Sequence, residues 1–348
     1  MSVEQGYVQV SGPRQLRATA EAAEVRPAPD GVVVDITFCG ICGTDVHGYT
    51  DGHMLPPAVF GHEWTGVISA VGDEVTGLTV GVRVVGGVGP ACGTCRQCAA
   101  GHARQCETAF AEANGVDEAA PAHGGFGTRL RVSARRVIPV PEGVTDVEAA
   151  LVEPATVAFH AVRRTAMELG SVVVVQGAGP IGLLTAQHAR NAGAGRVVVS
   201  EPSAARRATA EKLDFPDVVA PEELAPLLME ITDGLGADVL FECTGVPSLL
   251  QPSAELVRRG GTLALLGYPT ADSTVSYADW QTRELTVIGS LAYNHEDFLG
   301  TLRAIAGKRV DVASLHTGTI GLTELGAMLE ELDSGHSSHT KVLVDPRG

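Results

Sequence analysis

Four cysteines within a span of fifteen residues constrain the fold of this chain more than any other feature of its sequence. Two, two and seven residues separate them in the set Cys92, Cys95, Cys98 and Cys106. Four thiolates in one short segment match the tetrahedral, all-sulfur coordination of a structural Zn²⁺. Two disulfides or an iron–sulfur cluster are the competing interpretations, but cytosolic chains rarely keep disulfides and the spacings of clusters differ. The spacing therefore predicts a zinc lobe over residues 90–107.

Composition and charge agree with an intracellular protein of two domains. A length of 348 residues makes two domains the default. No segment of signal-peptide type opens the sequence, and no apolar run is long enough to span a bilayer. Seven cysteines are an odd number, which does not suit a secreted disulfide framework, so we expect a cytoplasmic location. The net charge of −16 argues against nucleic acid or an anionic membrane as a partner.

The pattern of apolar residues changes near residue 153 and predicts an α/β protein with two unlike domains. Before this point, short β-type runs broken by glycine are typical of a compact, irregular β domain. After it, strands and amphipathic helices alternate, as in a parallel sheet covered on both faces. The strands predicted in the second part are Ser171–Gln176, Arg196–Ser200, Ala237–Glu242 and Gly261–Leu266, and the helices include Ser203–Leu213 and Pro247–Arg259.

A dinucleotide-binding fingerprint opens the second part, after an apolar strand and before a predicted helix. Its residues are Gly177, Ala178, Gly179, Pro180, Ile181 and Gly182. Gly177 allows the tight turn, Gly179 lets the backbone approach a pyrophosphate, and Gly182 lets the helix pack closely on the sheet. Glu201 ends the next strand about twenty residues later, where a carboxylate binds both ribose hydroxyls. This carboxylate favours NAD over NADP because it would repel a 2′-phosphate. The nearby Arg206 weakens this preference, since its positive charge would attract the phosphate.

A second metal site is indicated in the first part by a thiol, an imidazole and two carboxylates. Cys42 follows a predicted strand, His62 and Glu63 come twenty residues later, and Glu153 lies at the domain junction. Taken singly, a buried cysteine is usually a small hydrophobic residue, and a lone histidine is usually a surface or core residue. Together they match a catalytic zinc, which needs a few such ligands and one open coordination position.

In their order along the chain, these motifs resemble those of the zinc-dependent medium-chain alcohol and polyol dehydrogenases. The matching segments are 40–47, 61–63, the four cysteines, Glu153-Pro154, the glycine fingerprint and Glu242-Cys243-Thr244-Gly245. The resemblance covers nearly the whole chain. It implies a GroES-like catalytic domain formed by residues 1–153 and 293–348, and a Rossmann NAD-binding domain at 154–292. It also implies two zinc ions per chain, NAD contacts that include Arg206 and Thr244, and a homodimer or homotetramer.

The resemblance also implies the ligands of the catalytic zinc. Cys42 and His62 would be direct ligands, with Glu63 and Glu153 as the third ligand and an exchangeable or water-bridged fourth. Asp45 would hold the imidazole of His62 and fix its tautomer. Zinc bound there would stabilise the alkoxide of the substrate while a hydride leaves for the nicotinamide.

For the proton, the resemblance implies a relay that starts at Thr44. This hydroxyl would take the proton of the substrate and pass it through the ribose toward His47. Two further thiols, Cys39 and Cys243, match no ligand position, so we expect both to be buried.

Glu153 also bears on the substrate, because the primary-alcohol enzymes carry a cysteine ligand at this position. A carboxylate at this position resembles the pattern of the polyol, butanediol and threonine dehydrogenase branch. It implies that the substrate is a secondary alcohol or ketone, such as a polyol or a cyclitol. Two other functions stay open. One is a zinc enzyme of the same fold with other chemistry, such as an aldehyde dismutase or a lyase, and the other is a nucleotide-binding protein without turnover.

Overall fold

The structure is a computed structural model that describes residues 6–20, 25–52, 60–114, 124–269 and 271–348. The chain divides into two compact units. The first contains Met1–Glu153, Asn294–Gly307 and His316–Gly348, and the second contains Pro154–Tyr293 and Lys308–Leu315. This division differs from the predicted one at Tyr293 and at Lys308–Leu315, which had been expected in the first domain. No helix within the described ranges has the length and apolarity needed to cross a membrane.

Side-chain bonds to the backbone explain why Lys308–Leu315 belongs to the second unit. The amide of Gln187 donates to the carbonyl of Asp311 at 3.0 Å and accepts from its backbone N–H at 2.7 Å. Asn191 donates to the carbonyl of Arg309 at 2.7 Å. A linear sequence offers no pattern for such amide-to-backbone pairing, so the predicted boundary misses it.

The strands of the described residues are β1 Gly6–Gly12, β2 Gln15–Ala20, β3 Gly31–Gly40, β4 Glu63–Val71, β5 Arg83–Gly86, β6 Arg129–Ser133, β7 Val137–Pro139, β8 Val172–Gln176, β9 Arg196–Ser200, β10 Asp217–Val219, β11 Ala237–Glu242, β12 Val257–Leu265, β13 Thr286–Gly289, β14 His316–Gly321 and β15 Lys341–Asp345.

The helices are α1 Gly43–Asp51, α2 Arg96–Ala99, α3 Glu107–Asn114, α4 Asp146–Ala150, α5 Val152–Arg164, α6 Pro180–Asn191, α7 Ala204–Lys212, α8 Pro221–Ile231, α9 Leu250–Glu255, α10 Tyr277–Thr282, α11 His295–Ala306 and α12 Leu325–Asp333. Short 3₁₀ turns lie at Ala103–Gln105, Ala134–Arg136, Pro247–Leu249, Ala313–Leu315 and Leu322–Glu324.

A seven-stranded sheet forms the frame of the first unit. Its order is β14-β15-β3-β4-β5-β7, and β6 pairs with the first half of β3. The strands are antiparallel except for β14 and β15. Phe60, Trp64 and Phe126 are fully buried in its core. The pairing of β3 with β4 sets Gly40 opposite Glu63, so the segments beyond this pair leave the sheet side by side.

The second unit is built on a parallel sheet of six strands in the order β10-β9-β8-β11-β12-β13. Valines dominate β8 and β9 because helices cover both faces of such a sheet. The chain leaves β8 toward β9 and β10, and then returns to the other side of β8 as β11. Nucleotides bind at such a reversal of strand order, beyond the carboxyl ends of the strands.

Most of the predicted strands of this sheet are confirmed, and the α/β class with them. The bounds of β9 and β11 are those predicted, but the helix expected over Pro247–Arg259 is wrong after Glu255. The chain enters β12 at Val257 instead, and Arg258 Nε lies 2.6 Å from Asp238 Oδ1 on β11. Pairing with the neighbouring strand thus overrides the helical pattern of these residues.

Candidate metal centres and nucleotide-binding loop

The four cysteines of the lobe converge on one point. Their sulfur atoms all lie within 4.8 Å of one another. Backbone amides surround them: Cys95 N–H donates to Cys92 Sγ at 3.3 Å, and Ala109 N–H donates to Cys106 Sγ at 3.4 Å. The turns at Gly93 and Gly101 adopt positive φ angles of 79° and 87°, which let so short a segment close on itself.

The pKa values of the lobe thiols explain what a cation would add. Hydrogen bonds lower the pKa of Cys92 to about 5, and the bond from the Thr108 hydroxyl has the largest effect. Burial raises the pKa of Cys98 to about 12. At neutral pH the four sulfurs are therefore all deprotonated at once only when a cation binds them. Four thiolates at this spacing fit zinc.

A second group of ligands lies where the chain leaves β3 and enters β4. One ligand atom each of Cys42, His62 and Glu63 lies within 4.8 Å of the other two. Gly40 makes room for the carboxylate, since a Cβ there would lie 2.1 Å from Glu63 Oε2. The register of one antiparallel pair thus assembles sulfur, nitrogen and oxygen donors, a set that zinc accepts.

Asp45 joins the two segments that carry these ligands. Its side chain is fully buried, and it accepts hydrogen bonds from the backbone N–H groups of Cys42 at 2.8 Å and Gly61 at 2.9 Å. Asp45 Oδ1 lies 3.8 Å from His62 Nδ1, which is within ion-pair range but too long for a hydrogen bond. Both carboxylate oxygens of Asp45 accept hydrogen bonds from backbone amides, and the predicted role of Asp45 in holding the imidazole of His62 stays a prediction.

The electrostatics of this group favour a cation. Burial by itself lowers the pKa of His62, but the negative charges of Cys42, Asp45 and Glu153 raise it well above its usual value. Glu153 is buried in the first turn of α5 and is near enough to act on His62, although it lies outside the tight group of three ligand atoms. A site that attracts a proton so strongly also attracts a metal ion.

The two residues of the expected proton relay lie on α1. Thr44 is exposed in the first turn of the helix, and His47 is partly buried three residues later. Residues three apart on a helix share a face, so the two side chains lie along one side of α1.

Lys341 contacts the Cys42–His62–Glu63 group, although no pattern in the sequence points to it. Its ammonium donates to both carboxylate oxygens of Glu63 at 2.7 Å and to the carbonyl of Ile41 at 2.9 Å. It lies on β15, which pairs with the end of β3. A lysine at the start of a final strand carries no local signal of such a role.

The glycine fingerprint forms the expected turn between β8 and α6. Gly177 has a φ of 95°, and a Cβ on Gly182 would lie 1.8 Å from the carbonyl oxygen of Gly177. Gly179 is the N-cap of α6, Pro180 is its first residue and Ile181 follows, so the first amides of the helix lack intrahelical acceptors. This is the geometry of a pyrophosphate-binding turn.

Glu201 lies at the end of β9 and is tied to this turn. Its two carboxylate oxygens accept hydrogen bonds from the backbone N–H groups of Ala178 at 2.8 Å and Ser203 at 2.9 Å. Arg207 donates to the carbonyl of Glu201, so its guanidinium is engaged by its own loop, and Arg206 is partly buried one residue before it. The carboxylate is thus fixed beside the glycine turn, where a ribose would lie.

Thr244 lies in the tight turn that follows β11. The carboxylate of Glu242 accepts from the backbone N–H and the hydroxyl of Thr244. The Cγ2 of Thr244 is 3.1 Å from the position of a Cβ on Gly177, which brings this turn against the fingerprint. Both turns therefore lie at the reversal of strand order.

The remaining thiols, Cys39 and Cys243, belong to neither group of converging ligand atoms. Cys39 is fully buried near the end of β3, and burial raises the pKa of its thiol well above the usual value. Cys243 is only partly buried as a residue, but burial of its sulfur likewise raises its pKa. Raised pKa values are typical of unreactive thiols.

Two stretches of the chain match known families. Residues 28–142 match the alcohol dehydrogenase GroES-like domain, and residues 180–307 match the zinc-binding dehydrogenase domain. Together they cover more than half of the chain. The chain belongs to the zinc-dependent medium-chain dehydrogenases. The predicted family, its fold and its use of zinc and a nicotinamide cofactor are thereby confirmed.

Two curated relatives and one solved structure are similar to this dehydrogenase over most of their length. A 2-dehydro-3-deoxy-L-galactonate 5-dehydrogenase of Pseudoalteromonas atlantica is 32% identical, over 93% of this chain and 94% of the relative. A sorbitol dehydrogenase of Halalkalibacterium halodurans is 30% identical, over 94% and 95%. The structure of a zinc-binding dehydrogenase of Sinorhizobium meliloti bound to NADP is 28% identical, with a TM-score of 0.85 over 98% and 99% of the two chains.

Proposed function

We propose that this dehydrogenase transfers a hydride between NAD and a secondary alcohol or its ketone, with a polyol or cyclitol as the substrate class. The observation that carries the proposal is the mixed donor group of Cys42, His62 and Glu63 with Glu153 close by. A carboxylate instead of a second thiolate is what separates this group from the primary-alcohol pattern. Relatives named for sugar acids and sorbitol support the same class.

The residues present fit two zinc ions per chain. Cys42 and His62 would hold the catalytic ion with Glu63 and Glu153, and Cys92, Cys95, Cys98 and Cys106 would hold the structural one. When bound, the catalytic zinc supplies Lewis acidity at the substrate oxygen. Asp45 and Gly40 act on the ligands only, by fixing the backbone around Cys42 and by leaving space for the carboxylate of Glu63.

Proton transfer is assigned to the exposed face of α1. The Thr44 hydroxyl would accept the proton that leaves the substrate hydroxyl, and His47, on the same side of α1, would take up the proton at the far end of the relay. The exposure of Thr44 and the partial exposure of His47 support the assignment, because both ends of a relay need access to substrate or solvent.

An assay of NAD reduction with a set of secondary alcohols and cyclitols, run beside metal analysis, tests the proposal. We expect turnover with part of the set and two zinc ions per chain. One zinc per chain with no turnover would support a nucleotide-binding protein instead. Aldehyde consumption without net change in NAD would support a dismutase.

Glu201→Ala is expected to weaken NAD binding and to improve NADP binding. The substitution removes a charged acceptor from the ribose hydroxyls, worth about 1.5–3 kcal/mol, or roughly a ten- to hundredfold rise in the Kd for NAD. Fluorescence titration with both cofactors measures it, and Glu211→Ala, an exposed acid on α7, is the matched control. A wild-type protein that already prefers NADP would refute this role of Glu201.

A homodimer is proposed through the edge of the parallel sheet at β13, where no further strand of the described part of the chain pairs. This strand pairs with β12 on one side, and its sequence Thr-Val-Ile-Gly carries no charge. Val287 is 39% exposed and the nearby Leu291 is 66% exposed. An uncharged edge strand is a template for pairing with a second copy around a twofold axis.

Val287→Asp is therefore expected to convert a dimer into a monomer, since it sets two like charges near one another across the twofold axis. Light scattering after gel filtration measures the mass. The matched control is Val80→Asp, at a residue that is 63% exposed in the first unit. A monomeric wild type, or equal dissociation in the control, would contradict the assignment.

A cytoplasmic location is proposed as well, since zinc-binding thiolates persist in a reducing compartment.

A further inference from the structure

Lys341 is a buried cation in the wall of the Cys42–His62–Glu63 group, and none of the roles given above employs it. The residue is 4% exposed, and Glu63 is 1% exposed. Two bonds of 2.7 Å to the carboxylate and one of 2.9 Å to a carbonyl match the three protons of an ammonium group. The amine is thus a fully bonded point charge inside the first unit.

One partner of Lys341 is the ligand Glu63 itself, and the other, Ile41, is the immediate neighbour of a ligand. Ile41 precedes Cys42 along the chain, and Glu63 follows His62. The lysine therefore joins the same two segments that Asp45 joins through their amides, but it does so with the opposite charge and from β15.

Charge is the more important part of this contact. The acidic groups around this point are Cys42, Asp45, Glu63 and Glu153. Among the described residues, the basic groups in contact with them are Lys341 and His62. The three hydrogen bonds of Lys341 to oxygen acceptors, two of them on a carboxylate, fit the charged ammonium form.

We propose that Lys341 is a positioning residue that offsets the charge of Glu63 and so keeps the metal held by this group electrophilic. The proposal rests on the proposed function, because it assumes a catalytic metal at Cys42 and His62. Each anionic group near a metal ion weakens its attraction for a further electron-rich ligand. Because Lys341 balances one carboxylate, the group keeps the donors that bind the metal ion, and the net charge around the ion is less negative.

The test compares Lys341→Met with Lys341→Arg and with Lys212→Met, an exposed lysine on α7 that is changed in the same way. The protein is loaded with Co²⁺ in place of zinc, and azide is titrated while the visible spectrum is recorded. Lys341→Met should raise the Kd for azide about tenfold or more, since it removes one positive charge close to the ion. Its catalytic metal should resist a chelator at least as well as in the wild type, and its kcat per loaded chain should fall by about tenfold or more.

The arginine variant and the Lys212 control should stay within roughly twofold of the wild type in all three measurements, since a charge is either kept or removed far from the group. A purely structural Lys341 would lower the thermal midpoint of Lys341→Met but leave azide affinity and turnover per loaded chain unchanged, which would overturn the proposal. Loss of the catalytic metal from Lys341→Met would overturn it too.

Since Lys341→Met leaves a buried carboxylate without its cation, a second pair of variants covers the case in which it does not fold. Glu63→Gln is compared with Glu63→Gln/Lys341→Met, neither of which has that unpaired carboxylate. The double variant should bind azide about tenfold more weakly than the single one, and equal affinities would refute the proposal. A wild type with one metal per chain and no turnover would instead refute the proposed function itself.

Discussion

Cys42→Ala is expected to empty the catalytic metal site and to lower kcat at least about a thousandfold, which corresponds to roughly 4 kcal/mol of the barrier. The thiolate is the soft donor of the group, and its sulfur lies within 4.8 Å of ligand atoms of His62 and Glu63. Without it, the group loses its one thiolate, and the imidazole and carboxylates that remain hold zinc less firmly. The zinc content, measured by metal analysis, should fall from two ions per chain to one.

Cys39→Ala is the matched control, because the two cysteines are three residues apart and a pattern search could confuse them. Cys39 is fully buried at the end of β3, and its sulfur lies 2.9 Å from the position of a Cβ on Gly125. Its loss removes packing and a weak hydrogen bond to the carbonyl of Gly40, on the order of 1 kcal/mol of unfolding free energy, and leaves turnover largely intact. A dead Cys39→Ala beside an active Cys42→Ala would reverse the assignment.

Cys98→Ser is expected to have the largest effect on stability. Four thiolates around zinc fold a lobe that has little else to hold it, since residues 92–105 include no fully buried side chain. The loss of one ligand should therefore release the structural zinc, unfold residues 90–107 and lower the unfolding free energy by several kcal/mol. Thermal unfolding and metal analysis measure both effects, and the catalytic zinc should remain.

Limited digestion with trypsin adds a local measurement, since Arg96 and Arg104 lie in the lobe. Cleavage there should accelerate in Cys98→Ser and stay slow in Cys243→Ser, which changes a thiol of the second unit. A Cys98→Ser protein with two zinc ions and wild-type thermal stability would contradict the assignment of the lobe.

Features that depend on residues close along the chain were determined by the sequence alone. The spacing of the four cysteines, the glycine turn after an apolar strand and the alternation of β9, α7 and β11 are local patterns, and the structure contains each of them. The helix predicted through Arg259 shows where this reasoning ends. Arg258 pairs with Asp238, and the partner strand decides the backbone there.

The assembly of the catalytic group was decided by tertiary structure. Cys42 and His62 meet because β3 and β4 pair with Gly40 opposite Glu63, a register that neither segment encodes by itself. Lys341 is 278 residues from Glu63 along the chain, yet it bonds both oxygens of that carboxylate. No local pattern reports such a contact. The residue types that can bind a metal are a property of the sequence, whereas their distances and the charge that balances them arise only when distant strands pair and water is excluded.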